Sequence, residues 1–262
     1  MSYLSSFSIN TERTNPFPFN TYGVKFAKNI EFETPITFII GDNGVGKSTL
    51  LEALAYRLQL PHIDGADYQK NSFKAARALL PYLELQWKIE RSIGFFFRAE
   101  DFGDFINSVD RADAYVYDSL RDLEGEVPEQ ILKEMRESAN YQIHHMRRNY
   151  GQELQAFSHG EAYLQIMHEK INQKGIFLLD EPEAALSPAK QLSLIYYILE
   201  HLKTNVSQFI IATHSPMLMA LPGATIYEIT ENGMKKVALE NTEHYSITKS
   251  FLNNPEGYLR HF

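Results

Sequence analysis

The order of apolar and polar positions along the chain predicts alternating strands and helices. Unbroken apolar runs, typical of strands covered on both faces of a parallel sheet, stand at Ile36–Ile40, Ile176–Leu179 and Phe209–Ala212. Apolar residues at helical spacing follow the first run over Ser48–Leu58, and a helical stretch over Ser187–Lys203 lies between the other two. Strand, helix, strand at this spacing indicates a βαβ unit, so we expect an α/β fold with a mostly parallel central sheet.

Other segments predict additions to this sheet within one domain that spans residues 1–262. Leu83–Ile89 alternates strictly between apolar and polar residues, which predicts a half-exposed strand in an antiparallel part, and Gly94–Phe97 predicts another strand. From about residue 104 to 172 the chain is largely polar with a mostly helical pattern, so we expect an inserted helical lobe. Near the C-terminal end, Asn232-Gly233 favours a tight hairpin turn.

Composition narrows the possible functions. The formal net charge of −8 argues against coating of nucleic acid or anionic membrane, because a polyanion would be repelled, although a local basic patch stays possible. The chain has no cysteine, which excludes disulfides and thiolate chemistry. The N-terminal stretch lacks the pattern of a signal peptide, and no apolar run is long enough to span a bilayer, so we expect a soluble, cytoplasmic protein.

A glycine-rich loop follows the first apolar run and matches the pattern G-x-x-x-x-G-K-[ST]. Small residues allow successive backbone N–H groups to surround phosphates, Lys47 can reach the β- and γ-phosphates, and the Ser48 hydroxyl can bind Mg²⁺. The helix that follows directs its positive end at the same anion. We therefore predict a phosphate-binding loop made of Gly41, Asp42, Asn43, Gly44, Val45, Gly46, Lys47, Ser48 and Thr49.

Polar residues follow the other two apolar runs at their carboxyl ends. At the end of the first, Asp180 can hold Mg²⁺ through water, and Glu181 can polarise an attacking water molecule. At the end of the second, a neutral His214 could donate a hydrogen bond to a γ-phosphate. Two adjacent carboxylates repel each other, so a cation between them and the phosphates would relieve the repulsion.

The stretch Ser158–Glu161 carries the S-x-x-E pattern of a capping box and predicts a helix that runs toward Gly175. A hydrolase triad is excluded, because His159 directly follows Ser158 and neither a separate base nor an orienting acid is indicated. A capped helix start is itself an anion site, with free N–H groups and the positive end of the helix dipole.

Four segments together, GDNGVGKST, SHGE, LLDEPEAALSP and ATHSP, resemble the Walker A, signature, Walker B with D-loop, and H-loop motifs of ABC-type ATPases. Within that superfamily the chain resembles the small stand-alone bacterial ATPases related to the chromosome-maintenance and recombination-repair branch. The resemblance implies ATP and Mg²⁺ as ligands and a head-to-tail homodimer. Each ATP would lie between one subunit's Lys47 and the other subunit's signature residues Ser158, His159, Gly160 and Glu161.

Two positions of the family pattern stay open. Transporter ATPases usually carry a glutamine where this chain has Arg98. We therefore expect that Arg98 contacts the γ-phosphate or that Glu100 lies near the metal. The alternative is that Arg98 forms a salt bridge at the surface. The aromatic residue that stacks on adenine in many relatives could be Phe17, Phe19 or Tyr22, each of which could equally be a core residue.

Three functions fit these motifs. The first is an ATP-hydrolysing homodimeric switch that acts on nucleic acid or on an effector protein. The second is the nucleotide-binding subunit of an ABC transporter, against which the SHGE signature and the missing glutamine count. The third is a nucleotide-gated binding module with little turnover.

Overall fold

A six-stranded sheet forms the centre of the computed structural model, which describes residues 3–62, 73–90, 93–102, 129–130, 132–133, 136, 159–171, 174–204 and 206–260. The strand order is β5-β6-β7-β3-β8-β9, in which only the β8–β9 pair is antiparallel. The strands are β3 (Ile36–Gly41), β5 (Gly94–Arg98), β6 (Ile176–Asp180), β7 (Gln208–Ala212), β8 (Thr225–Thr230) and β9 (Gly233–Val237).

A smaller antiparallel sheet packs beside the central one. Its order is β2-β1-β4, with β1 at Leu4–Ile9, β2 at Ile30–Glu31 and β4 at Leu83–Trp87. The fully buried side chain of Gln208 joins the two sheets, because its Oε1 accepts hydrogen bonds from the backbone N–H of Tyr3 at 3.0 Å and of Leu4 at 2.8 Å. A buried amide of this kind fixes how the small sheet sits on the large one.

Helices cover both faces of the central sheet. Side chains alternate along each strand, so that Ile39 and Ile210 pack toward helices α2 and α3 and the small sheet, whereas Phe38 and Ile211 pack toward α4 and α5. The helices are α1 (Tyr22–Phe26), α2 (Lys47–Leu58), α3 (Lys74–Leu79), α4 (His159–Ile171), α5 (Pro188–Thr204), α6 (Pro216–Met219), α7 (Glu243–Asn253) and α8 (Pro255–Leu259). Short 3₁₀ turns stand at Leu80–Tyr82, Ala99–Asp101 and Leu239–Asn241.

The expected fold class is confirmed, with a parallel core and an antiparallel addition. The expected hairpin forms, but its two turn residues are Glu231 and Asn232 rather than Asn232 and Gly233, because Gly233 already pairs with Thr230. Strand β4 is antiparallel to β1, as its alternation predicts, and ends at Trp87. Most of the expected helical lobe at 104–172 lies outside the described residues, apart from short pieces and α4. Among the described residues, no helix combines the length and the apolar character that crossing a membrane requires.

Candidate functional site

The carboxyl ends of four parallel strands meet at one edge of the central sheet. Arg98 at the end of β5 pairs with Asp180 at the end of β6, and Asp180 in turn pairs with Ala212 at the end of β7. Strand β3 runs parallel to β7 and ends at Gly41, where the glycine-rich loop begins. Topology therefore brings together segments that are far apart in sequence, at the edge where ligands bind in open α/β sheets.

The glycine-rich loop adopts a backbone that side chains would disfavour. Gly44 and Gly46 have φ of 79° and 102°, and a Cβ on Gly46 would lie 2.8 Å from the Thr21 hydroxyl oxygen. The loop leads into α2, which begins at Lys47 and runs for 12 residues. Because the first N–H groups of such a helix have no partner within the helix, the loop and helix form a cradle for a polyphosphate.

Lys47 is buried and holds its ammonium group inside this loop. Its Nζ donates to the carbonyl oxygens of Gly41 at 2.8 Å and Asp42 at 3.0 Å. Burial lowers the pKa of Lys47, and the nearby carboxylates of Glu181 and Asp180 oppose that shift. The Lys47 Nζ is therefore held at the centre of the loop by two carbonyl oxygens that a phosphate could replace.

The residues present fit a divalent cation between Ser48 and Asp180. Burial raises the pKa of Asp180 to about 7, the nearby Ser48 side chain opposes that shift, and the Glu181 charge adds to it. Asp180 Oδ1 is buried without a hydrogen-bond partner in the described part of the chain. Mg²⁺ prefers such oxygen ligands and is usually held by one or two carboxylates together with substrate phosphates and water. No cluster of three or more histidine, cysteine, aspartate or glutamate side chains suited to a metal occurs among the described residues.

Glu181 and His214 face each other across this edge. His214 Nε2 lies 3.7 Å from Glu181 Oε1, while the His214 backbone N–H donates to Glu183 Oε1 at 2.6 Å. Glu181 has φ of 49°, a left-handed conformation that is uncommon for a residue other than glycine. Its backbone N–H donates to Ala212 at 2.9 Å, so the adjacent strand holds this strained residue in place.

Arg98 is engaged by carboxylates. Its Nη1 contacts Glu52 Oε1 at 2.6 Å and Glu100 Oε1 at 3.0 Å, and Nε and Nη2 form a two-pronged pair with Asp101 at 2.5 and 2.8 Å. His62 Nε2 lies 3.2 Å from the same Asp101. The arginine thus joins β5 to α2 in a largely buried ion-pair cluster, and its contact with a γ-phosphate stays a prediction.

The signature stretch is described only in part. Ser158 lies outside the described residues, α4 begins at His159, and the side chains of His159 and Gly160 are likewise not described. Glu161 is exposed in the first turn of α4. Two residues after Glu161, the fully buried Tyr163 donates its hydroxyl to the carbonyl oxygen of Pro182 at 2.7 Å, so α4 is attached to the loop that carries Glu181.

The three aromatic candidates for an adenine contact occupy different environments. Phe19 is buried and packs edge-on against Tyr82 with a centroid distance of 5.6 Å, so it belongs to the core. Phe17 and Tyr22 are exposed by 60% and 37%. Tyr22 directly precedes Gly23, whose N–H donates to Val45 in the glycine-rich loop at 2.7 Å, and Tyr22 therefore lies beside that loop.

Two further polar residues at this edge were not predicted from the sequence. Glu183 binds the backbone of His214 through Oε1, and His244 Nε2 lies 2.9 Å from His214 Nδ1. A third acidic residue in the run Asp-Glu-Pro-Glu could have indicated Glu183. Nothing in the sequence around His244 indicates its position, because it lies 30 residues beyond its partner.

The fold and this edge are those of a P-loop nucleotide-binding domain. The chain belongs to the AAA domain family, whose model matches residues 19–174, which is more than half of the chain. A second model, described as "AAA domain, putative AbiEii toxin, Type IV TA system", matches residues 144–220. No curated protein matches the sequence significantly.

Solved structures with a similar fold include the Smc head domain with an extended coiled coil derived from Pyrococcus furiosus. It is 14% identical to this chain, and the match covers 95% of this chain and 99% of that chain with a TM-score of 0.49. The cbiO1 protein from Clostridium perfringens, part of an ABC transporter complex, is 18% identical, with coverages of 90% and 91% and a TM-score of 0.43. A nucleotide-free ATP-binding cassette from an ABC transporter is 13% identical, with coverages of 99% and 99% and a TM-score of 0.48.

Proposed function

We propose that the protein hydrolyses ATP with Mg²⁺ and acts as a homodimeric switch, with each ATP held between two subunits. The observation that carries the proposal is the meeting of Lys47, Asp180, Glu181 and His214 at one sheet edge. A cationic loop, a buried carboxylate, a second carboxylate and a neutral imidazole are the groups that phosphoryl transfer to water requires.

Each group has a role that its surroundings support. Lys47 and the N-terminus of α2 bind the β- and γ-phosphates. Ser48 and Asp180 would hold Mg²⁺, which neutralises charge on the phosphate oxygens when it is bound. Glu181, which is 44% exposed at its side chain, orients and polarises the attacking water, and His214 donates a hydrogen bond to the γ-phosphate.

The dimer is proposed because the motifs resemble those of ABC-type ATPases, in which each ATP lies between one subunit's phosphate loop and the other subunit's signature. In this arrangement Ser158, which precedes α4 in the sequence, and Gly160 contact the γ-phosphate held by the other subunit's Lys47. The hydrogen bond from Tyr163 to Pro182 supports a link between the two halves of the site, since it joins α4 to the loop of Glu181 within one chain. An interface of this kind repeats the same contact twice, as a closed homodimer requires.

The Glu181→Gln variant tests this function, because it keeps the size of the side chain and removes the carboxylate that polarises water. We expect ATP turnover to fall by about 100-fold while ATP binding is kept, and a dimer to accumulate with ATP and Mg²⁺. Phosphate release and size-exclusion chromatography with light scattering measure the two effects. Glu231→Gln, on an exposed turn, is the matched control. Unchanged turnover in Glu181→Gln would refute the assignment.

The object on which the switch acts is a nucleic acid or an effector protein. The second family description calls the matched domain a putative toxin of a toxin–antitoxin system and does not name what such a domain acts on. ATP turnover and oligomeric state measured with and without duplex and single-stranded DNA separate the two. Stimulation by DNA favours a role in genome maintenance or defence, and indifference favours a protein partner.

A further inference from the structure

His214 contacts a second histidine that belongs to none of the nucleotide-binding motifs. His214 Nδ1 and His244 Nε2 are 2.9 Å apart, and the two rings lie 5.1 Å apart with planes inclined by 48°. His244 stands in the first turn of α7, beyond the β8–β9 hairpin. The distance is that of a direct hydrogen bond between the two imidazoles.

The remaining ring nitrogens of this pair are buried. His214 Nε2 and His244 Nδ1 have no hydrogen-bond partner in the part of the chain that the structure describes. His214 Nε2 faces the sheet edge at which the glycine-rich loop begins, and it lies 3.7 Å from Glu181 Oε1. Burial lowers the pKa of His214, and the positive charge of Lys47 lowers it further, so the ring is neutral at pH 7. A neutral imidazole carries one N–H, and the hydrogen bond at one nitrogen decides which nitrogen carries it.

We propose that His244 is a positioning residue that donates its Nε2–H to His214 Nδ1 and thereby holds the His214 proton on Nε2. This inference rests on the proposed function, since its consequence is an N–H aimed at the γ-phosphate. The opposite arrangement, in which His214 Nδ1 donates to His244, leaves a lone pair on His214 Nε2 that an anionic oxygen would repel. His244 is the one described side chain whose hydrogen bond reaches the His214 ring.

The backbone around His244 places its ring at this contact. Thr242, which is fully buried, caps α7, because its hydroxyl accepts from the Tyr245 N–H at 3.3 Å and donates to the Leu239 carbonyl at 2.8 Å. After this first turn α7 is exposed, with Leu252 69% accessible. The His244 ring thereby connects α7 to His214.

The test compares His244→Phe, which keeps a planar ring and removes the donor, with His244→Gln, which restores an N–H at the position of Nε2. In His244→Phe we expect kcat for ATP to fall about 10-fold with KM unchanged, because one hydrogen bond to developing charge becomes misdirected. His244→Gln should recover most of the loss. Thr248→Ala, exposed on the same helix, is the matched control and should behave as the unaltered protein.

A second measurement separates this inference from the proposed function. Nitrogen-15 NMR of histidine-labelled protein, bound to a non-hydrolysable ATP analogue and Mg²⁺, reports which His214 nitrogen carries the proton. We expect an unprotonated Nδ1 in the unaltered chain and a mixture of tautomers in His244→Phe. If the unaltered chain shows no ATP turnover, the proposed function fails, and the NMR comparison still decides the role of His244. Identical His214 tautomers in both proteins, or equal kcat for His244→Phe and Thr248→Ala, would overturn the role of His244.

Discussion

The cluster around Arg98 holds more negative than positive charge, and this imbalance predicts opposite effects for two of its carboxylates. The single guanidinium contacts Glu52, Asp101 and Glu100, of which Glu100 is largely exposed. Asp101 accepts two hydrogen bonds from Arg98 and a contact from His62, whereas Glu52 accepts one from Arg98. Neutralising Glu52 should therefore be tolerated at a pH where neutralising Asp101 is not.

The magnitudes follow from the pKa values. Burial raises the pKa of Glu52 from 4.5 to about 7 despite Arg98. Because the folded state then binds the proton more tightly than the unfolded chain, stability falls as the pH rises from 4.5 to 7, by up to about 3 kcal/mol. Burial also raises the pKa of Asp101, but the contact with His62 and the hydrogen bonds from Arg98 outweigh it and lower that pKa from 3.8 to about 2. The ionised Asp101 therefore adds about 2 kcal/mol to the free energy of unfolding above pH 3.8, and this contribution is lost as the pH falls to 2.

Urea denaturation of Glu52→Gln and Asp101→Asn at pH 5 and pH 8 checks this reasoning. Relative to the unaltered protein, Glu52→Gln should gain about 2 kcal/mol of unfolding free energy between pH 5 and pH 8, because the glutamine does not ionise. Asp101→Asn should lose about 2 kcal/mol at both pH values. The other titrating groups are present in both the variant and the unaltered protein, so their contributions cancel when the two free energies of unfolding are subtracted. A Glu52→Gln effect that does not change with pH would refute the argument.

Three further predictions concern the nucleotide site. Gly46→Ala places a Cβ 2.8 Å from the Thr21 hydroxyl oxygen, on a backbone with φ of 102°. ATP affinity measured by calorimetry should therefore fall at least about 10-fold, and retained affinity would contradict the need for glycine at this position. Asp180→Asn should raise the Mg²⁺ concentration for half-maximal turnover about 10-fold in a Mg²⁺ titration, and an unchanged titration would remove Asp180 from the metal site. Ser158→Arg should abolish ATP-dependent dimers in light scattering while the circular dichroism spectrum of the monomer is kept; dimers that persist would place the signature outside the interface.

The sequence predicts the strands and the phosphate loop because those features depend on neighbours along the chain. The apolar run that ends at Gly41 and the one that ends at Asp180 both become buried parallel strands. Contacts between distant residues could not be predicted in the same way. Arg98 lies 46 residues from Glu52, and no local pattern shows that β5 ends beside α2. The same holds for His244, since the direction of α7 after the hairpin decides its contact with His214.

Three hydrogen bonds hold the loop that follows Asp180, and they explain how a strained Glu181 persists. Such a backbone costs of order 1–3 kcal/mol and needs surroundings that determine it. Strand β7 accepts the Glu181 N–H, the His214 N–H binds Glu183, and Tyr163 from α4 binds the Pro182 carbonyl. Two of these bonds come from the end of β7 and the residues just after it, and the third comes from α4, the helix that begins at the signature. A displacement of α4 relative to the sheet would therefore act directly on the residue that we assign to the attacking water.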